Sequence, residues 1–548
     1  MASNSALSQA LPAEHGPLQR ADEVTSLLNS VQNLLTPFIR RADLDATIKP
    51  TSHGVVFPAP DGTPRTNLVD YRSPQELSKI LALNLPETGK GQDGLLGIVE
   101  KVLQYSVNTW DQGFLDKLYA SPNAVGLASD LILSALNTNL HVYAVSPALT
   151  LIEKHTVARL AQLFDLPGPH AGGISTQGGS ASNLTAVIIA RNTLFPSTKT
   201  RGLEGKKLVL FTSAHGHYSI MKAAMAAGLG TESCIAIPVD SAGRMIPSAL
   251  ETQILTSKKE GKVPFFVNAT AGTTVLGAFD PFPAIADLCV QHGLWMHVDG
   301  SWGGSVAFCD PLRWKIQGLH LANSIAFNPH KMLGVPVTCS FLLGRDMQQF
   351  HAANSMEAGY LFHGSDDNHA KHNDGEEDAS PPVDDLYDLA DLTLQCGRRG
   401  DSLKLFLAWT YYGTSGFSMQ LSSAFAMSSY LASLVADHPD LVLVSENPPP
   451  CLQVCFRYIP CGMATQTEGE DVRRRNTKVT RKIVSELVGR GFMVDWAPGD
   501  GDSGGMVRVV VNVLTRRGTV EGLVGAVGVV GGAVWKEVVG GDDGGGAV

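Results

Sequence analysis

The sequence has no excess of positive charge and no long apolar run. Its 42 Lys and Arg residues are outnumbered by 52 Asp and Glu residues, which gives a formal net charge of −10. Without a basic run that overrides this balance, we expect no nucleic-acid partner. Because no stretch of about 18 consecutive apolar residues occurs, we also expect no membrane-spanning segment and no membrane partner.

Paired cysteines are also missing. The eight cysteines lie mostly as single residues in apolar surroundings, as Cys289 and Cys339 do. Cys451, Cys455 and Cys461 are closer together but lack the Cys-x-x-Cys spacing of a zinc site. This usage is typical of reduced thiols, and no metal site is expected. Since the amino-terminal residues also lack a signal pattern, the sequence predicts a cytoplasmic protein.

The pattern of apolar residues predicts an α/β fold. From about residue 170, short apolar runs alternate with amphipathic stretches, which favours a mostly parallel sheet. Five runs have the character of buried strands, namely 207–211, 234–237, 264–267, 294–298 and 324–327. Helical spacing comes before them, over 24–39, 95–107, 129–136 and 149–164.

The 548 residues suit two or three domains. We predict an amino-terminal tail and helical segment over 1–110, a large domain over 111–404 and a smaller α+β domain over 405–548. Helices over 406–412 and 424–436 and strands over 442–445, 453–457 and 507–511 belong to the last domain. Residues 363–385 are strongly acidic and almost without apolar residues, which indicates a disordered insertion. Its histidines could bind a metal, but a solvated loop is the favoured interpretation.

Three polar turns follow predicted strands or precede a predicted helix. Residues 178–183, Gly-Gly-Ser-Ala-Ser-Asn, precede a helical stretch, and their backbone N–H groups suit a phosphate, although an ordinary helix start has the same pattern. His217 follows another strand and can stack on a planar cofactor or remain a loop histidine. Residues 269–274 contain threonines and a glycine, typical of a ligand-facing loop or of a plain turn.

Asp299 and Lys331 carry the strongest chemical signal. Asp299 ends an apolar strand, where a buried carboxylate needs a cationic partner such as a pyridinium N–H or a distant arginine. Lys331 ends the turn Asn-Pro-His-Lys, where desolvation lowers the pKa of a lysine and makes its amine nucleophilic. The order phosphate loop, ring-stacking histidine, aspartate and lysine, all at strand ends, predicts a cofactor site for pyridoxal 5'-phosphate (PLP).

The motifs in this order resemble those of the group II PLP-dependent amino-acid decarboxylases, closest to the glutamate and cysteine-sulfinate decarboxylase branch. The resemblance runs from about residue 95 to about residue 520. It rests on residues 137–139, 178–183, 269–274, 297–299, 302–304, 328–332, 359–362 and 395–398. It implies PLP fold type I and a homodimer with active sites at the subunit interface. The activity implied is that of a carboxy-lyase of amino-acid and carboxylic-acid metabolism.

The resemblance also implies a role for individual residues. Lys331 would bind the cofactor covalently, Asp299 would pair with its pyridine nitrogen and His217 would stack on its ring. Thr274 and Ser301 would contact the cofactor nearby. The phosphate would be surrounded by residues from two loops, Gly179, Ser180, Ala181, Ser182, Asn328 and His330.

Substrate handling is implied for four further residues. Tyr360 would protonate the substrate carbon after carbon dioxide leaves, and Arg508 would grip the α-carboxylate. Lys117 lies where glutamate enzymes carry a glutamine that faces the distal carboxylate, so its charge would favour an acidic side chain. A surface lysine on a helix is an equally good interpretation. Asn139 would line the same pocket.

Two departures from the family pattern affect the expected chemistry. Gly300 and Ser301 replace two alanines, which alters the surface beneath the cofactor ring. The acidic insertion directly follows Phe362, so poor closure of the Tyr360 loop would give an aldehyde side product.

We therefore expect decarboxylation of an L-amino acid to the amine and carbon dioxide, with glutamate, aspartate or cysteine sulfinate as substrate. An aromatic amino-acid decarboxylase, an aldehyde synthase or a catalytically silent PLP-binding paralogue are the alternatives.

Overall fold

The computed structural model describes residues 19–58, 64–356, 386–463, 469–499 and 501–539. Tyr360 and the predicted insertion over 363–385 lie outside the described residues. The strands are β1 Val56–Pro58, β2 Pro64–Thr66, β3 Gly172–Thr176, β4 Leu208–Ser213, β5 Cys234–Ile237, β6 Val263–Thr270, β7 Trp295–Gly300, β8 Ser324–Phe327, β9 Ser340–Gly344, β10 Leu441–Leu443, β11 Gln453–Tyr458, β12 Asp495–Ala497 and β13 Met506–Val510. The helices are α1 Arg20–Asp45, α2 Pro74–Leu81, α3 Gly91–Tyr105, α4 Ala124–Leu136, α5 Pro147–Leu163, α6 Gly179–Leu194, α7 Thr198–Arg201, α8 Ser219–Ala226, α9 Pro247–Lys259, α10 Phe282–His292, α11 Met347–Asn354, α12 Ser402–Asp437, α13 Glu470–Val488 and α14 Arg517–Val538.

A seven-stranded sheet forms the centre of the fold, in the order β3-β9-β8-β7-β6-β4-β5. All neighbours pair in parallel except β9, which is antiparallel to both β3 and β8. Every residue of β4 and β7 is buried, which explains why these strands are continuous apolar runs in the sequence. The predicted α/β fold with a mostly parallel sheet is confirmed. The carboxyl ends of β3, β4, β6, β7 and β8 meet at one edge, where a ligand site is expected.

A second, antiparallel sheet has the order β10-β11-β13-β12 and carries α13 and α14. Before it, α12 is one long helix with a kink at Gly413, whose φ of 66° separates the two helices predicted from the sequence. Leu115 is hydrogen-bonded to Met493 and Val510, so an earlier part of the chain is attached to this sheet. The domain boundaries after residues 110 and 404 stay a prediction.

Helix α14 is long and apolar enough, by composition, to cross a membrane. In the fold, however, 61% of its most apolar window is buried against the rest of the protein. A buried core helix passes the same test of length and composition, so this helix is weak evidence for a membrane span.

A buried ion cluster joins the amino-terminal segment to the rest of the fold. The Nζ atom of Lys49 lies 2.7 Å from Asp45 Oδ2 and 2.9 Å from Asp111 Oδ1, and all three side chains are fully buried. Lys49 also donates a 2.6 Å hydrogen bond to the carbonyl of Gly491. Because buried charges need compensation, the cluster links three segments that are distant in sequence.

Candidate active site

A cavity of about 300 Å³ lies at the edge where the carboxyl ends of the parallel strands meet. Most of the residues predicted for the cofactor line it, from the loops after β4, β6, β7 and β8 and from the start of α6. These residues are Gly179, Ser180, His217, Thr274, Asp299, Ser301, Asn328, His330 and Lys331. The topology therefore brings together side chains that are spread over about 150 residues of sequence.

The start of α6 forms one wall of the cavity. Gly178 has a φ of 92°, which favours glycine, and α6 begins with the next residue. A Cβ atom added to Gly179 would lie 2.5 Å from Ser301 Oγ and 2.8 Å from Asn328 Nδ2, so this position has no room for a side chain. The first N–H groups of a helix have no partner within it and favour an anion. This wall therefore suits a phosphate group.

Two other residues predicted for the phosphate lie behind this wall. Ser182 is buried and its hydroxyl is 2.7 Å from the hydroxyl of Thr176, at the end of β3. The N–H of Ala181 donates to the carbonyl of Gly178. Neither residue is part of the cavity lining. Their contacts stabilise the turn at the start of α6.

Several buried polar atoms in the cavity wall test whether PLP fits. Ser301 Oγ, Thr270 Oγ1 and Asn328 Oδ1 have no hydrogen-bond partner among the described residues. A buried polar group without a partner is costly, so these atoms indicate a polar ligand. The two hydroxyls can donate to phosphate or ring oxygens, and the amide of Asn328 can turn its NH₂ group toward them. The residues present therefore fit PLP.

The electrostatics of Asp299 and Lys331 are complementary. Burial raises the pKa of Asp299, but Lys331 and hydrogen bonds from Ser301 N and Asn183 Nδ2 outweigh it, so the pKa lies below its ordinary value. Burial lowers the pKa of Lys331, and the attraction of Asp299 opposes this only in part. The site thus holds an ionised carboxylate for a pyridinium nitrogen and an amine that loses its proton readily.

His217 has the properties expected of a ring-stacking residue. Its Nδ1 atom lies 2.8 Å from the hydroxyl of Ser219, at the start of α8. Burial lowers the pKa of His217, Asp299 raises it and Lys331 lowers it further, with a net shift downward. The imidazole is therefore neutral near pH 7, which suits stacking on a cationic ring.

Arg508 lies next to the cavity rather than in its lining. The guanidinium donates to the carbonyl of Thr274 at 3.1 Å and forms an ion pair with Asp495 Oδ2 at 2.7 Å. The side chain is 7% exposed, so its charge is almost fully buried beside the cavity. Lys117 forms ion pairs with Asp116 at 3.1 Å and with the same Asp495 oxygen at 3.0 Å. It is outside the cavity lining, and its substrate role stays a prediction.

Asn139 is also outside the cavity lining of this chain. Its Oδ1 atom accepts a 2.9 Å hydrogen bond from the N–H of Arg398, within one of the matched motifs. The contact places it between α4 and the segment that leads to α12. Its predicted role in the substrate pocket is not tested by these contacts.

Comparison with known proteins identifies the family. The pyridoxal-dependent decarboxylase conserved domain matches residues 74–459, which is well over half of the chain. The chain belongs to the pyridoxal-dependent decarboxylase family. This decarboxylase is 49% identical to the L-aspartate decarboxylase dtxS4 of Metarhizium robertsii, over 92% of this chain and 96% of that protein. It is 38% identical to the mouse acidic amino acid decarboxylase GADL1, over 82% and 78% of the two chains.

Solved structures agree with the fold. Mouse CSAD superposes with a TM-score of 0.80 at 33% identity, covering 93% of this decarboxylase and 98% of that chain. Oryza sativa TDC, solved with PLP and tryptamine, has a TM-score of 0.79 at 23% identity, which supports the fold alone. The predicted fold type, cofactor and carboxy-lyase activity are thus confirmed, and the chain is a PLP-dependent decarboxylase.

The side chains of the cavity would bind PLP and control the proton on its pyridine nitrogen. Bound PLP withdraws the electrons that remain on the substrate carbon when carbon dioxide leaves. Lys331 would supply the amine that attaches the cofactor, and Asp299 would hold a proton on the pyridine nitrogen. The wall at Gly179 would hold the phosphate, and His217 would cover one face of the ring. Trp302, Tyr218 and Asn183 also line the cavity, although no separate role is predicted for any of them from the sequence.

Proposed function

We propose that this decarboxylase acts on an acidic L-amino acid, with L-aspartate the preferred substrate, and releases the amine and carbon dioxide. The observation that carries the proposal is the 49% identity, over 92% of the chain, to a protein named L-aspartate decarboxylase. The similarity to mouse GADL1, named an acidic amino acid decarboxylase, supports the same substrate class.

The charges beside the cavity support an acidic substrate. Burial lowers the pKa of Lys117, but Asp495 and Asp116 raise it more, so the net shift is upward and the ammonium stays charged. Asp495 contacts both Lys117 and Arg508 and is 26% exposed. In the proposal, its carboxylate turns outward when substrate enters. Arg508 then binds the α-carboxylate and Lys117 the distal one.

We further propose a cytoplasmic homodimer with active sites at the subunit interface. Helix α4 supports self-association, since Leu127, Leu131 and Leu136 are all about half exposed on it (44%, 50% and 51%). Exposed apolar side chains clustered on one helix are typical of a buried interface. The eight free cysteines suit a reducing compartment. Light scattering of the purified protein measures the mass directly.

Product identification tests the proposed substrate. The PLP-loaded protein is incubated separately with aspartate, glutamate, cysteine sulfinate, tyrosine and tryptophan, and the products are identified by mass spectrometry. We expect the amine of aspartate at the highest kcat/KM and no product from a Lys331→Ala control. An amine from tyrosine or tryptophan only, or an aldehyde as the main product, would contradict the proposal.

A further inference from the structure

Asn183 occupies a central position behind the cofactor cavity. It is buried in the first turns of α6, and its Nδ2 atom lies 2.9 Å from Asp299 Oδ2 and 2.8 Å from Ser219 Oγ. Its Oδ1 atom lies 3.0 Å from His297 Nε2. A single amide therefore contacts the carboxylate at the end of β7, the start of α8 and a histidine of the sheet.

The hydrogen bonds on the sheet side begin at Trp295 and are compatible with one orientation of the Asn183 amide. An indole N–H can only donate, so the hydroxyl of Ser324, at 2.9 Å, accepts from it. The hydroxyl proton of Ser324 is then free to go to His297 Nδ1, also at 2.9 Å. His297 is fully buried, and burial lowers its pKa to about 4, so the ring is neutral. When Nδ1 accepts from Ser324, the single ring proton is on Nε2. This proton goes to the oxygen of Asn183.

The cavity side gives the same orientation of the amide independently. An ionised carboxylate can only accept, so Asn183 must turn its NH₂ group toward Asp299. The second hydrogen of that group goes to the hydroxyl of Ser219, which then donates its own proton to His217 Nδ1 at 2.8 Å. The backbone N–H of Ser219 also points at His217 Nδ1, at 3.3 Å, and a backbone N–H never accepts. His217 therefore carries its proton on Nε2.

We infer that Asn183 is a positioning residue that orients the carboxylate of Asp299 and, through Ser219, fixes His217 in the form protonated on Nε2. The hydrogen bonds lead from Trp295 through Asn183 to Asp299 and His217, and each of them has one donor and one acceptor. They hold the amide in one orientation before any ligand binds. The inference concerns the cofactor site and is independent of which amino acid is the substrate.

An Asn183→Asp variant changes the chemistry of the amide with almost no change of shape. It removes both donated hydrogen bonds and places a second carboxylate beside Asp299. Because a hydrogen bond to a charged group is worth about 1.5–3 kcal/mol, we expect PLP affinity to fall about 10- to 100-fold. Absorbance titration of the cofactor-free protein measures this. Asn192→Asp, the same change in a buried residue of the same helix, is the matched control, and its PLP affinity should stay within about threefold.

Histidine protonation gives a readout that needs no activity. In cofactor-free protein labelled with ¹³C,¹⁵N-histidine, solid-state NMR should show His217 and His297 protonated on Nε2, assigned by His217→Gln and His297→Gln variants. The added carboxylate of Asn183→Asp should raise the pH at which His217 takes up a second proton. Ser219→Ala breaks only the branch to His217, so it should change the His217 signals and the pH profile of kcat, with PLP affinity nearly unchanged.

Either of two results would overturn the inference. The first is His217 protonated on Nδ1 in the cofactor-free wild-type protein, a measurement that does not require any variant to fold. The second is an Asn183→Asp protein whose PLP affinity and His217 signals match those of Asn192→Asp. A purely structural role of Asn183 would lower thermal stability in both variants but would leave the His217 signals unchanged.

Discussion

A Lys49→Met substitution removes the positive charge from the buried cluster that holds the amino-terminal segment. Methionine keeps most of the volume, but Asp45 and Asp111 lose their cation and the carbonyl of Gly491 loses its donor. Removing one partner of a buried ion pair typically costs about 3–5 kcal/mol. Since protein stability is typically about 5–15 kcal/mol, we expect a loss of roughly a fifth or more.

Calorimetry and urea unfolding of the PLP-free protein measure this loss. Lys79→Met, a change of an exposed helical lysine, is the matched control and should stay within about 0.5 kcal/mol of wild type. A triple variant, Lys49→Met with Asp45→Asn and Asp111→Asn, removes all three ionisable groups and should recover much of the stability. A Lys49→Met protein that loses less than about 1 kcal/mol would refute the reasoning, since the charges would then have found water or another partner.

The same cluster predicts a pH dependence. Burial raises the pKa of Asp111 from 3.8 to about 7, against the attraction of Lys49. Between these values the folded protein holds a proton that the unfolded chain has released. Stability from this group is therefore complete below about pH 4 and is lost as the pH rises through about 7. Asp111→Asn, which cannot titrate, should flatten this part of the stability curve, and an unchanged slope would contradict the assignment.

Three further changes test the active site. Gly179→Ala places a Cβ atom 2.5 Å from Ser301 Oγ, so PLP affinity should fall at least about tenfold in an absorbance titration, whereas Gly97→Ala, with open space around it, should not change it. Lys117→Met should raise KM for aspartate about tenfold and leave KM for any aromatic substrate unchanged, with Lys90→Met as a surface control. Tyr360→Phe should increase the aldehyde fraction among products measured by mass spectrometry, and a trace-level fraction would contradict its proton-donating role.

Local sequence patterns predict the central strands well. Strands β5 and β8 begin and end at the predicted residues, because each is a short apolar run bounded by polar ones. Strand β9 is not predicted, since its pairing with β3 depends on where the chain returns to the sheet. Helix α14 is not predicted from the sequence, because its glycines disfavour a helix. Two of them are required by contacts, as Cβ atoms at Gly522 and Gly531 would collide with Lys49 and Tyr458.

The sequence predicts the site residues that lie in local motifs, but not the contacts between distant segments. Asp299 lies at the end of β7, and His217 and Lys331 follow β4 and β8, so the parallel topology brings them to one edge. The link from Asn183 to His297 spans 114 residues and depends on the packing of α6 against β7, which no local pattern contains. The partners of Lys117 are equally hidden, because Asp495 lies 378 residues away.

The reversed direction of β9 has a mechanical consequence for Lys331. The chain leaves the sheet at the end of β8, forms the turn that carries the lysine, and re-enters the same edge at Ser340. Both ends of this connection are anchored by neighbouring inner strands, and the N–H of Cys339 is bonded to His330 across it. Amides of inner strands exchange with solvent mainly through global unfolding. The two strands that anchor the turn with the reactive amine are thus as durable as the whole fold, and they should be among the last places to open when the protein is heated.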